Sequence, residues 1–202
     1  MNRKLSHVRL ATTLGIAALT SSVALAQSYP EAAEGSAPAE ISAASARMHC
    51  VAELAPVSEG ASESTVRMES CYKTFAAAMA AATGNTVVLS PDASPQSVRE
   101  ADLAAAATRV IGIDYDGTYY TGSSQTWFVR NAFGCTGGRS YTANMPNSVN
   151  NRLSSTGGFN GCRRNTSFDL RNQRGDWVRC FSACYYIGGF LDNRTSSKRW
   201  QY

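Results

Sequence analysis

The sequence predicts an all-β domain preceded by a small α/β segment. Three observations carry this prediction. Short β-branched and aromatic runs broken by glycine fill residues 111–202, part of that stretch is repeated, and the composition changes near Val110.

The chain has 202 residues, of which 44% are hydrophobic and 17% charged. That length suits one domain with an appendage, and the apolar share excludes wholesale disorder and collagen-like repetition. Residues 1–26 read as an export signal: Arg3, Lys4 and Arg9 precede an apolar run from Leu10 to Val23, and Ala24-Leu25-Ala26 has the small-x-small form of a cleavage site. The run is too short and too rich in threonine for a membrane anchor, so no membrane insertion is expected and the product is read as secreted (extracellular). Export sets the expectation for Cys50, Cys71, Cys135, Cys162, Cys180 and Cys184, which should pair in an oxidising compartment. Many connectivities are open, and nearest-neighbour pairing gives Cys50–Cys71, Cys135–Cys162 and Cys180–Cys184. A zinc site is disfavoured, because the chain has no C-x2-C pair and no histidine near the last four cysteines.

Charge divides the mature chain. Residues 27–110 hold ten acids against five bases, whereas residues 111–202 hold five acids against eleven bases. Twelve of the 16 glycines lie in the second part. The segment 27–46, rich in Ala, Ser, Glu and Pro, reads as a disordered leader. Residues 47–110 read as an α/β extension or pro-segment. Strands are expected at 47–54, 65–69 and 86–89. Ser70 is expected to cap a helix in which Cys71, Phe75, Ala78, Met79 and Ala82 share a face, Gly84 to stop it, and Pro95 to open a second helix running to about Ala107.

In residues 111–202 strands are expected at 111–115, 125–130, 139–142, 167–170 and 177–181. Asn150-Asn151-Arg152-Leu153-Ser154-Ser155 matches Asp192-Asn193-Arg194-Thr195-Ser196-Ser197 at four of six positions. Tyr115-x4-Tyr120-x-Gly122 is echoed by Phe168-x4-Gln173-x-Gly175, the first copy being 11 residues longer in its middle. These pairs define a doubled supersecondary unit.

Aromatic-x4-aromatic-x-Gly followed by (N/D)(N/D)-x-x-(S/T)-S resembles the Greek-key motif of the βγ-crystallins. Over residues 111–202 the chain is more closely similar to the secreted bacterial branch, which includes metalloproteinase-inhibitor and killer-toxin-like proteins. Gln173 departs from the motif by replacing its second aromatic. The resemblance implies a βγ-crystallin-like double Greek-key sandwich in which a glycine at each corner lets a hairpin fold over and two sheets share one core. It also implies calcium as a cofactor, held by oxygens of Asn150, Asn151 and Ser154 and of Asp192, Asn193 and Ser196. With Asp192 the only acid among them and Arg152 and Arg194 beside them, binding should be weak, about 10⁻⁵–10⁻³ M.

Other motifs carry less. Asp114-Tyr115-Asp116-Gly117 lacks the later ligands of an EF-hand and reads as a strand end and turn, and the glycine of Arg174-Gly175-Asp176 belongs to a corner. An enzyme is not expected. His49 is the only histidine of residues 27–202 and lies outside the repeats, and neither HExxH nor a P-loop occurs. Ten arginines and one lysine in residues 111–202 invite an anionic partner. For an exported chain that partner is an anionic cell-wall polymer, and no nucleic acid is expected. The resemblance implies inhibition of an extracellular peptidase by a rigid loop, for which residues 131–139 are the segment offered. A calcium-binding structural module of the envelope and an antimicrobial killer-toxin-like protein are the alternatives.

Overall fold

The computed structural model describes residues 47–202 except 105, 107 and 132. The expected signal and leader therefore lie outside the described residues. Ten strands form two sheets: β1 (His49–Leu54), β2 (Val66–Tyr72), β3 (Arg109–Tyr115), β4 (Ser124–Val129), β5 (Tyr141–Asn144), β6 (Ser155–Gly158), β7 (Arg164–Leu170), β8 (Arg174–Phe181), β9 (Ala183–Cys184) and β10 (Ser197–Gln201). Two short helices, α1 (Phe75–Thr83) and α2 (Glu100–Ala104), precede β3. Mostly β structure with few helices agrees with the fold class read from the sequence.

The six-stranded sheet has the order β2-β1-β4-β3-β6-β9 and the four-stranded sheet β5-β10-β7-β8. Read from its other edge, the smaller sheet is β8-β7-β10-β5. Each of its strands then lies four places in the chain from its counterpart in β4-β3-β6-β9. The third strand of each unit is exchanged: β5 joins the second unit's sheet and β9 joins the first's.

The extension is built into this architecture. β1 runs parallel to β4, antiparallel to β2, and is buried along its whole length. Cys50, Val51, Ala52 and Leu54 supply the apolar run that a position covered on both faces requires, while the buried Glu53 is paired with Arg130. On one face α1 packs Phe75, Ala78, Met79 and Ala82 against Val51, Ile113, Tyr115 and Phe128. On the other, Ala52, Leu54, Ile111, Trp127 and Val129 meet Tyr141, Ala143 and Trp200 of the four-stranded sheet. The described residues belong to one compact unit, and the boundary expected near Val110 lies within β3.

Local expectations in the extension need correction. The helix begins at Phe75, and its N-cap is Thr74, whose Oγ1 accepts from Ala77 N at 3.2 Å. Cys71 cannot be helical because it sits opposite Cys50 in the β1–β2 ladder, to which it is disulfide-bonded. Gly84 stops the helix as expected, with φ 62°. Residues 86–89 are not a strand: Thr86 and Val87 instead tie back to the end of α1 through Thr83. The second helix is a 3-10 turn at Pro95–Ser97 followed by only five residues of α2.

Both hairpin corners share one geometry. Tyr119 and Tyr120 have φ 53° and 61°, and Asn172 and Gln173 have φ 63° and 52°. Gln173 thus adopts the conformation of the tyrosine it replaces. The extra residues of the first copy fall in the loop between β4 and β5, where the second copy has a single residue between β8 and β9.

Candidate functional site

The two repeated polar stretches meet along a reciprocal seam. Asn151 N donates to Thr195 O and Asn193 N to Leu153 O, each at 3.0 Å. Thr195 is the repeat counterpart of Leu153, so each stretch makes to the other the bond it receives. Asn151 and Asn193 take φ 57° and 55°, a region that asparagine tolerates. Ser154 N and Ser196 N donate to Tyr115 O and Phe168 O, both at 2.8 Å. The last serines bind the folded corners: Ser155 Oγ donates to Gly117 O and Ser197 Oγ to Leu170 O, each at 2.6 Å, and they accept from Tyr120 N and Gln173 N. Arg152 and Arg194 turn away to the corner carboxylates of Asp116 and Asp169, at 2.8 and 3.4 Å.

The expected calcium ligands lie together on this seam, in two unequal sets. Ser154 Oγ donates to Asp192 Oδ1 at 2.5 Å, pairing a hydroxyl with a carboxylate from the other copy. Ser196 Oγ donates to Asn151 Oδ1 at 3.1 Å, and Asn150 Oδ1 is buried with no hydrogen-bond partner among the described residues. A calcium ion takes about six to eight oxygens and gains affinity from each carboxylate. The Ser154–Asp192 set brings together one hydroxyl and one carboxylate. The Asn150–Asn151–Ser196 set has neutral oxygens only, although the orphaned Asn150 oxygen points to an acceptor in want of a donor or a cation. Among the described residues no three His, Cys, Asp or Glu side chains gather around a common point.

A second surface was missed as a site in the sequence. Lys198 and Ser167, like Asn165, bond to groups between the sheets, so the alternate residues of β7, β8 and β10 face outward. The register aligns three outward rows: Gln201, Arg164 and Phe181; Arg199, Thr166 and Arg179; Ser197, Phe168 and Trp177. Three arginines and three aromatic rings occupy these nine positions, with no acid. Arg199 lies over Phe168 at 5.5 Å and Arg179 over Trp177 at 5.0 Å, where Arg179 Nε also donates to Thr166 Oγ1. Stacking fixes the guanidinium planes while leaving Trp177 and Phe181 54% and 75% exposed. Beyond the edge of the face, Arg163 lies over Tyr202. β8 is one of the sheet's two edge strands, with β7 its only neighbour in the sheet. The readable signal was the alternation Trp177, Arg179, Phe181 within one strand.

The loop over residues 131–139 is held from within. Asn131 Oδ1 accepts from Phe133 N and Gly134 N, Cys135 N donates to Asn160 O, and Cys135 is bonded to Cys162. Arg139 stacks on the exposed Phe133 ring at 4.2 Å. With Cys180–Cys184, all three expected disulfides are present, as suits a chain that folds under oxidising conditions. No helix among the described residues is long and apolar enough to cross a membrane.

His49 is brought beside a serine that sequence reasoning did not connect to it. Its Nδ1 lies 2.9 Å from Ser124 Oγ, across the β1–β4 ladder. Burial, and secondarily Arg47, push its pKa below the usual imidazole value, while Asp116 opposes. Ser124 is 1% exposed, and Asp116 is committed to Ser123 N and Arg152. The contact ties β1 to β4.

No family model, curated protein or solved structure matches this chain.

Proposed function

We propose that this protein is a secreted, non-enzymatic module of βγ-crystallin-like double Greek-key type that binds an anionic polymer of the cell envelope through the outer face of its four-stranded sheet. The observation that carries this reading is a set of three aligned rows that hold three arginines and no acid, with Arg179 and Arg199 stacked on rings and Trp177 and Phe181 exposed along the edge strand β8. Guanidinium forks match carboxylate and phosphate groups, and aromatic faces give sugar rings a flat apolar support. The four-place correspondence of the two sheets and the reciprocal seam support the doubled-unit fold.

The test is binding of the purified protein to a carboxylated and to a phosphorylated glycan, with neutral dextran as control, followed by Trp177 fluorescence. Saturable binding to an acidic polymer that weakens with salt, and is lost in the Arg179→Ala/Arg199→Ala variant, is the expected result. Equal binding to dextran would overturn the reading.

A second reading, inhibition of an extracellular peptidase, draws on the stiffness of residues 131–139, which lowers the entropy cost of entering a protease cleft. A panel of secreted zinc and serine proteases left uninhibited at micromolar protein would exclude it.

A further inference from the structure

Between the sheets lies a charged group that neither reading uses. Lys198, on β10, is fully buried, and its Nζ sits 2.9 Å from Asp114 Oδ1 on β3. Thr156 Oγ1 touches every member of the cluster: it donates to Asp114 Oδ1 at 2.6 Å and accepts from Asn165 Nδ2 at 2.6 Å and Lys198 Nζ at 3.2 Å. Ser167 Oγ takes a further Nζ bond at 3.0 Å, and Trp127 Nε1 donates to Asp114 Oδ2 at 2.7 Å. The Trp200 ring walls the amine at 5.8 Å. In the register Lys198 faces Ser167 and Trp200 faces Asn165, so Lys198 and Asn165 are diagonal neighbours on one face of adjacent strands. The cluster sits where the repeats exchange partners. Asp114 pairs with Thr156 as Ser167 pairs with Lys198, yet only one copy carries the acid and only the other the amine.

We propose that Lys198 and Asn165 are joined by an intramolecular isopeptide bond formed with loss of ammonia, with Asp114 as proton shuttle and Thr156 as relay. The chemistry balances within the cluster. The buried ion pair first passes a proton from Nζ to Asp114, leaving a neutral amine beside a carboxylic acid. The Nζ lone pair attacks Asn165 Cγ, forming the Nζ–Cγ bond. Asp114 returns a proton through the Thr156 hydroxyl to Nδ2 as the Cγ–Nδ2 bond breaks, and recovers one from Nζ. The products are a secondary amide, one ammonia molecule and the neutral acid of Asp114.

Three features favour this step over a permanent ion pair. A wholly buried lysine is destabilised in its charged form, which is the physical route to an amine nucleophile. Nucleophile and amide are fixed on one rigid sheet, so no association entropy remains to oppose the attack. The leaving nitrogen, Asn165 Nδ2, already rests on the relay hydroxyl of Thr156. Asp114 is the shuttle and not the electrophile, because Trp127, Thr156 and Lys198 all donate to its oxygens and hold it as an acceptor.

The test is peptide mapping of the full chain, reduced and digested with trypsin. The expected product is one branched peptide joining residues 165–171 to residues 195–199, lighter by one ammonia than the two linear peptides together. Trypsin should fail to cut after Lys198. In Lys198→Arg the branch is absent and residues 165–171 appear as a linear peptide. Asn165→Asp restores the same branched mass with water lost instead. Linear peptides 165–171 and 195–198 at full mass from the wild-type protein would overturn the proposal, as would a branch that joins Lys198 to the peptide containing Asp114. Polymer binding is a separate measurement on the opposite side of the sheet, so either result can fail alone.

Discussion

A Cβ added to Gly122 would stand 2.0 Å from Asp116 Oδ1, the oxygen that accepts from Ser123 N at 2.7 Å. Gly175 repeats this relation with Asp169 Oδ1, also at 2.0 Å, where Asp176 N is the donor. Both glycines have left-handed φ, 83° and 77°. Each corner therefore needs a residue without a side chain for two reasons, backbone conformation and room for the carboxylate. Gly122→Ala and Gly175→Ala should each cost about 2–3 kcal/mol, combining φ strain with a displaced charge-assisted hydrogen bond. The check is the urea midpoint, which should fall in both variants by similar amounts.

The disulfides should differ in worth. Cys50–Cys71 and Cys135–Cys162 close segments with separations of 21 and 27, against 4 for Cys180–Cys184. Replacing either long-loop pair by alanine should cost about 3 kcal/mol, and the short one less. Calorimetric Tm values of the three double variants test the order.

Stability should fall on acidification through His49. Its folded pKa lies below the ordinary value near 6.5, so only the unfolded chain takes up a proton in the window between the two. The penalty is absent above that window, grows as pH falls through it, and is complete below the folded pKa. His49→Gln should flatten this part of the pH profile, measured as urea midpoints from neutral pH to about pH 5.

Calcium should raise Tm through one half of the seam. Asp192 carries the only carboxylate there, so Asp192→Asn should abolish a rise produced by millimolar calcium, whereas Asn151→Ala should leave it largely intact. Scanning calorimetry with and without calcium reads both.

Pattern and spacing reached β3, β4, β5, β7 and β8, where alternation and glycine punctuation record which face each residue occupies, but not β6, β9 and β10, which are short and polar or glycine-rich. The repeat was equally legible, and the structure sets Asn151 and Asn193 in reciprocal positions. In the extension Ser70 was an attractive cap, but the Cys50–Cys71 bond claims the next residue for a strand, and Thr74 caps instead. A tertiary bond overrode a local preference. The Lys198, Asp114, Asn165 and Thr156 cluster had no sequence signal, since its members come from four strands of two sheets. Of the arginine face the sequence carried a charge count and the alternation of Trp177, Arg179 and Phe181, because the register that aligns its rows belongs to the ladder and not to the chain.

The place of β1 bears on how this chain can be processed. It separates β2 from β4 at the heart of the larger sheet, with α1 roofing the same region. A protease trimming the chain to residue 111 would strip a row of amide partners from β4 and lay bare Phe128 and Ile113. The cut would release a sticky remnant rather than a folded product.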